Sequence, residues 1–280
     1  MGLLKLFHKI KISCIRRQEV PIPPFSPQKQ YGSYGEDEFA YEIEHILPDC
    51  RMKRNIIIES DDGDAEIDFL ILYRRKLFAV EVKRWCGTIE GNINHIKKEK
   101  VDRWTGEIYT ETPLSPFVQL KRAVYLLKKQ QNQKVWINTI VFFEDADTVR
   151  LEGDDVWFTE IKELAEYIKC GGESSYSGDT AKFFNNCRSA DYLYTYIYGR
   201  ELRCIIRDSS LVFDISGRRL TRRDIDLIDI THRRTYDILN IKARDGESYT
   251  AELENGFVEV TDSGRTRSYA LSKIDRIKLG

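Results

Sequence analysis

The 280-residue chain has almost no net charge, −1 from 44 Lys and Arg against 45 Asp and Glu, so no global field draws it to nucleic acid. A polyanion must be met by a local patch. Its six cysteines (Cys14, Cys50, Cys86, Cys170, Cys187, Cys204) lie far apart and form no Cys-x-x-Cys pair. That argues against a zinc ribbon and against a disulfide framework, and makes free thiols in a reducing compartment the expectation. The four histidines (His8, His45, His95, His232) show no metal-ligand spacing between any two. No apolar run is long enough to span a bilayer. There is no Gly-x-x-x-x-Gly-Lys phosphate loop and no Gly-x-Ser-x-Gly elbow, so an ATPase or serine-hydrolase reading is poor. "ESDDGDAEID" is rich in carboxylates but lacks the spacing of a calcium-binding loop, and reads as a solvated turn. No internal repeat is visible.

What is present fits a soluble globular protein: 41% hydrophobic and 32% charged residues, enough apolar material for a core. The first segment, "MGLLKLFHKIKISCIRR", spaces Leu3, Leu4, Leu6, Phe7, Ile10 and Ile15 close to a helical period among Lys and Arg. Lys5, His8 and Lys9 break the run a signal peptide needs. Residues 1–17 read as a leader helix docked on its own domain or fraying in solvent, or as a basic amphipathic anchor at a membrane surface. "PIPPFSP" then holds four of the seven prolines and predicts an extended linker.

Beyond it, "SYGEDEFAYEIEHILPD" spaces Phe39, Ala40, Ile43, Ile46 and Leu47 as one helix face, stopped by Pro48. "RNIIIES", "AEIDFLILY" and "LFAVEVKRW" predict three strands, with Asp62-Gly63 as a turn signal before the second and "RRK" before the third. A polar segment of about thirty residues follows, long for a connection and therefore of functional interest. Ser115-Pro116 starts a helix through "FVQLKRAVYLLKKQ", with Ser as N-cap and Pro in the first turn. "KVWINTIVFF" is a fourth strand, and Thr159 is placed to cap a closing helix over "TEIKELAEYIK". "DTAKFFNNCRSADYLYTYIYG" reads as helical. From Leu202 short strands predict a small all-β module, a barrel or sandwich.

Glu81 and Lys83 stand out in "LFAVEVK", two apart and so on one side of an otherwise apolar strand. If Arg74 and Arg75 form a two-residue turn, Leu72 faces Leu77, Leu70 faces Ala79, and Asp68 faces Glu81. Two carboxylates directly opposite each other repel, and burial raises the cost unless something compensates. A divalent cation held by both carboxylates, a strand carbonyl and several waters would do so, and suits Mg²⁺. The alternative is a surface ion pair in which Asp68 and Glu81 share Lys83. Glu36 lies on the sheet-facing side of the first helix, and Gln119 lies one turn into the second among Phe117, Leu120 and Val124. Helix-dipole and boundary-residue explanations stand beside a functional one for these two.

"YGEDEFAYEIEHIL", "AEIDFLILYRRKLFAVEVKRWCGTIEG", Trp104 and "SPFVQLKRAVYLL" together resemble the nuclease-related domain, a branch of the PD-(D/E)xK nuclease superfamily. The resemblance covers about Tyr31 to Lys169. It implies a restriction-endonuclease-like αβββαβ core, a mixed sheet flanked by helices. It also implies metal-binding roles for Asp68 and Glu81, with the Val82 carbonyl joining them, and the motif-lysine role for Lys83. Glu36 matches the acidic residue of the family's Gly-Glu, and Gln119 the glutamine of its Asn-Pro-x-x-Gln, where Ser115 replaces the Asn.

The expectation is therefore an α/β nuclease domain over 31–170, after a leader and linker over 1–30. A connector over 171–201 and a small β-rich domain over 202–280 follow. The expected activity is hydrolysis of DNA phosphodiesters with Mg²⁺, or Mn²⁺ in its place, through Asp68, Glu81, Lys83, Glu36 and Gln119. Lys97, Lys98, Lys100 and Arg103 are the expected nucleic-acid contacts. The alternative is a non-catalytic module that binds nucleic acid or protein through the β domain, with Arg218, Arg219, Arg222 and Arg223 as its reading cluster. "THRRTY" is a further basic segment of that domain. The expected location is cytoplasmic, with weak contact to the inner membrane surface through residues 1–17.

Overall fold

The computed structural model describes Val20 and residues 27–60, 62–102, 104–172, 178–195, 200–262 and 265–280. Residues 1–17 and most of the proline-rich stretch lie outside the described residues. The chain divides into two units, Ser26–Ser189 and a second holding Ala190–Gly280, with Val20 packed against the second unit's core. The fold is mixed α/β.

In the first unit, helix α1 (Pro27–Ile46) starts earlier than the sequence pattern suggested, because proline is tolerated in a first turn. It buries Phe39, Ala40, Ile43 and, just past its end, Leu47. Strands β1 (Arg51–Ile58), β2 (Ala65–Tyr73) and β3 (Lys76–Lys83) follow as an antiparallel meander. The β2–β3 link is the two-residue turn Arg74-Arg75, with φ of 45° and 65°. Two successive left-handed residues give the turn whose twist matches that of the strands it joins. Helix α2 (Pro116–Gln131) is capped as expected: the Val118 N–H donates to Ser115 Oγ at 3.4 Å, and Ser115 Oγ in turn donates to the Ile93 carbonyl. Strand β7 (Ile137–Phe143) then pairs with β3 in parallel, and β9 (Val156–Phe158) with β7, giving the sheet order β1-β2-β3-β7-β9.

The polar segment after β3 is not a loop. It folds as β4 (Gly87–Asn92), β5 (Ile96–Val101) and β6 (Ile108–Glu111), which with β8 (Ala146–Glu152) form a second sheet of order β6-β5-β4-β8. Its few apolar residues suffice because only one face, at Ile89 and Ile96, is buried. Gly87 has φ +97°, and a methyl there would meet the Glu99 carbonyl oxygen at 2.1 Å, so the tight start of β4 requires glycine.

Two expectations need correction. Helix α3 (Ile161–Cys170) has Glu160 as its N-cap with no side-chain hydrogen bond, so Thr159 does not cap it. The aromatic stretch read as helical is helical only over α4 (Thr180–Asn186). Asp191–Thr195 is strand β10, where alternating Tyr and Leu suit a half-buried sheet better than a helix.

The second unit continues with β11 (Arg200–Ile206), the hairpin of β12 (Phe213–Ile215) and β13 (Arg218–Leu220), and β14 (Ile225–His232). Strands β15 (Asp237–Ala243), β16 (Ser248–Leu253), β17 (Phe257–Asp262), β18 (Arg265–Ala270) and β19 (Arg276–Lys278) follow. Eight of these strands form one sheet of order β16-β15-β14-β19-β10-β11-β17-β18, antiparallel throughout. Its core holds Leu193, Cys204, Ile228, Ile241, Val260 and Tyr269. The described cysteines, Cys50, Cys86, Cys170, Cys187 and Cys204, are free thiols. Among the described residues no helix is long and apolar enough to cross a membrane.

Candidate active site

The centre of the five-stranded sheet is where β2 and β3 part. Their ladder runs from Tyr73↔Lys76 to Phe69↔Val80 and stops, one register position short of Asp68 and Glu81. The cause lies in β2. Phe69, Ile71 and Tyr73 pack on the α1 side, and Leu70 and Leu72 on the α2 side. Ile67, which strict alternation would put with Phe69, packs with Leu70 instead, so the alternation slips at Asp68. Opposite, β1 does the same at Asn55, a buried residue with φ of 51°, and the Asn55–Asp68 pair is skipped in the ladder. Asp68 therefore does not simply face Glu81 across a continuing ladder. It reaches over the fork, and its Oδ2 accepts the Val82 N–H at 2.9 Å. In a strand the N–H and C=O of one residue point to the same edge, so the Val82 carbonyl also lies on the edge of β3 that faces Asp68.

Glu81 and Lys83 continue the face of Leu77 and Ala79, the face covered by α2. Beside them in register on β7 are Val141 and Phe143. These two pack with Phe117 of α2 and with Ile89 and Ile96 of the second sheet. Helix α2 and the second sheet thus wall this face of the site. Glu81 is only 7% exposed in consequence. Lys83 Nζ donates to Glu81 Oε1 at 2.5 Å.

The electrostatics follow from that enclosure. Burial first, and then the Asp68 carboxylate, push the Glu81 carboxyl up to about 7, against the pull of Lys83; Glu66 adds to the upward push. Burial alone would depress the Lys83 ammonium. Glu81, Asp68 and Glu36 outweigh it, and hold the lysine above its ordinary value. One ammonium thus compensates a carboxylate pair only in part.

Of the residues singled out from the sequence, Asp68, Glu81, Val82 and Lys83 come together. Glu36, half-buried in α1, lies near enough to act on Lys83. Gln119 is a correction: it is exposed, not among Phe117, Leu120 and Val124, and its side chain makes no hydrogen bond among the described residues. Lys97 is paired with Glu99 at 2.5 Å, and Lys98 with Glu111 at 3.4 Å while lying over the Trp85 ring. Lys100 is exposed with no ion pair among the described residues, and Arg103 lies outside them. Glu66 was passed over as part of an acidic turn. Its signal is its place two residues before Asp68 on the same strand.

Two of the four arginines named in the β unit are engaged within it. Arg218 is held by Asp245 at 2.8 Å and the Tyr249 hydroxyl at 2.6 Å. Arg222 is held by Asp191 at 2.5 Å and the Gly280 carbonyl at 3.2 Å. Arg219 and Arg223 are exposed.

The donor set fits a hard divalent ion: two carboxylates, one of them buried with its charge disfavoured, and a carbonyl on the same edge. Among the described residues no group of three or more His, Cys, Asp or Glu side chains is gathered for a metal. Such an ion would keep much of its own water, as Mg²⁺ does.

Residues 31–144 match the family model of the nuclease-related domain. The chain matches no curated protein and no solved structure.

Proposed function

Because residues 31–144 match the nuclease-related domain, we propose that this unit hydrolyses phosphodiester bonds of DNA with Mg²⁺ at the β2–β3 fork. The observation that carries the reading is Glu81, a carboxylate buried beside Asp68 and paired with Lys83. The reading is supported by the order helix, three-strand meander, helix and parallel strand, with β4–β6 intervening before the second helix, which is similar to the αβββαβ order the resemblance implies.

Asp68 and Glu81, with the Val82 carbonyl, would hold the ion. When bound, Mg²⁺ supplies Lewis-acid stabilisation of the charge that builds on the phosphate and acidifies water at the site. The rest falls to the chain. Lys83 keeps its proton at neutral pH, because its carboxylate neighbours raise its pKa. It would serve as a hydrogen-bond donor to the attacking water or to a non-bridging phosphate oxygen. Glu36 adds, after Glu81 and Asp68, to the charges that hold Lys83 protonated. The water oxygen bonds to phosphorus as the ester bond opposite breaks; the proton of the water leaves to solvent, and the departing sugar oxygen takes a proton from solvent. Lys100 is the basic residue of the second sheet available to a phosphate. Gln119, exposed at the start of α2, is available to substrate rather than to the carboxylates.

Glu81→Gln and Lys83→Ala should each lower Mg²⁺-dependent nicking of plasmid DNA by about hundredfold or more, with circular dichroism unchanged. EDTA should abolish the wild-type activity. A wild type that cuts neither DNA nor RNA with Mg²⁺ or Mn²⁺, or variants that cut normally, would reject the reading.

A further inference from the structure

The second unit contains a pocket that the nuclease reading does not use. Three turns of that unit line it: Arg233–Tyr236 between β14 and β15, Asn255-Gly256 between β16 and β17, and the end of β18 through Ser272. Its volume is about 80 Å³. The turns are fixed. The Arg233 N–H donates to the Tyr236 carbonyl at 2.9 Å, and the Leu271 N–H to the Gly256 carbonyl at 3.0 Å.

The pocket brings two successive arginines to one turn. Arg218 and Arg222 are engaged by carboxylates, as described above. Arg233 and Arg234 line the pocket, are exposed, and make no ion pair among the described residues. Thr235, Asn255 and Ser272 add hydroxyl and amide groups to the same wall. The one carboxylate in the lining, Asp237, is 6% exposed and already committed: its Oδ1 meets His232 Nδ1 at 2.9 Å, while His232 Nε2 faces Asp275 at 3.5 Å.

We propose that this pocket binds a terminal phosphate, a phosphate monoester group held by Arg233 and Arg234. Three considerations select it. Two guanidiniums with the neighbouring Thr235 and Ser272 hydroxyls offer more hydrogen bonds than the two oxygens of a carboxylate accept, and match a tetrahedral oxyanion. The volume, on the order of five waters, has room for a phosphate with water beside it. An internal phosphodiester would need a groove open at both ends, whereas a compact pocket lined by three turns favours a chain end. Phe257, also in the lining, offers an apolar surface to a sugar or base carrying that phosphate.

The full-length protein should be titrated in metal-free buffer with inorganic phosphate, a nucleoside 5′-monophosphate, and one oligonucleotide in 5′-phosphorylated and 5′-hydroxyl forms. The 5′-phosphorylated oligonucleotide should bind more tightly than its hydroxyl form if the source is a polynucleotide end. If the source is a small metabolite, inorganic phosphate or the mononucleotide should bind as well as the oligonucleotide. In either case Arg233→Ala/Arg234→Ala should weaken binding by about tenfold or more for each guanidinium lost. Arg219→Ala/Arg223→Ala, which removes equal charge from residues outside the lining, should leave it unchanged. No phosphate-dependent binding by wild type, or equal losses in both double variants, overturns the proposal. Because metal is absent, failure here is distinct from failure of the nuclease reading.

Discussion

Glu81 concentrates the physics of the site in one side chain. Its carboxyl is raised to about 7 by burial and by Asp68, from an ordinary 4.5. The folded protein therefore holds the Glu81 proton more tightly than the unfolded chain, and loses stability as pH rises through that window. The shift corresponds to about 3 kcal/mol between the two limits. Glu81→Gln removes the cost, since an amide needs no charge there, and Lys83 keeps Asp68 and Glu36 beside it. In EDTA the variant should match wild type near about pH 4.5 and gain Tm over it as pH rises, levelling off above about 7. Thermal melts across pH would show this. A variant less stable than wild type at alkaline pH would mean that the Lys83 pair outweighs burial. The sequence exposed Glu81, Lys83 and Asp68 because charge in an apolar strand is conspicuous and the two-residue turn fixes the register. It did not expose the slip at Asp68. That slip depends on Asn55, on another strand, adopting a positive φ.

Among elements, β10 shows how one buried charge can fasten a sheet. Asp191 is fully buried, and accepts from Arg222 at 2.5 Å, the Ile206 N–H at 2.8 Å and the Gly280 N–H at 3.2 Å. These bonds tie β10 to the end of β11, to the turn before β14 and to the C-terminal residue. Asp191→Ala would leave Arg222, 13% exposed, without its principal partner. A loss of about 3–5 kcal/mol is expected, because an uncompensated buried charge is left behind. Urea denaturation followed by near-ultraviolet spectroscopy of the second unit's tyrosines would measure it. A change under about 1 kcal/mol would show that water replaces the carboxylate. Elements with a clear period were legible: α1, α2 and the β2–β3 hairpin. Strand β10 was not, because "DYLYT" follows directly on a helix with similar aromatic content. The second sheet was hidden by its polarity, since "NHIKKEK" has the composition of a solvated run and acquires a strand's role only through pairing with β4 and β6.

At the scale of the whole molecule the net charge is near zero, and around the proposed site several charges are spent on each other. Lys97 and Lys98 are in ion pairs, and Arg84 stands between Glu144 and Asp145 at 3.4 and 2.8 Å. DNA binding should therefore depend weakly on salt. With about two phosphate contacts, affinity should fall roughly tenfold between about 50 and 200 mM salt, not the thousandfold or more expected for six or more contacts. Fluorescence anisotropy with catalytically impaired Glu81→Gln would test this. A steep slope would reveal a basic surface beyond the described residues. Composition made this balance legible from the start. Which lysines remain available was not, because that depends on Glu99 and Glu111 standing beside them in the folded sheet.

The parallel pairing of β3 with β7 has a kinetic consequence. The β2–β3 hairpin is local and closes on a two-residue turn, so it can form early. Glu81 meets Val141 only after a loop of about sixty residues closes, and such long-range parallel contacts are slow to form. Refolding should therefore pass first through a hairpin that already brings Asp68 near Glu81, still open to water. The low-dielectric surroundings that lift Glu81 come later, when β7 docks. The pKa of one carboxyl would thus serve as a clock for the last step of folding.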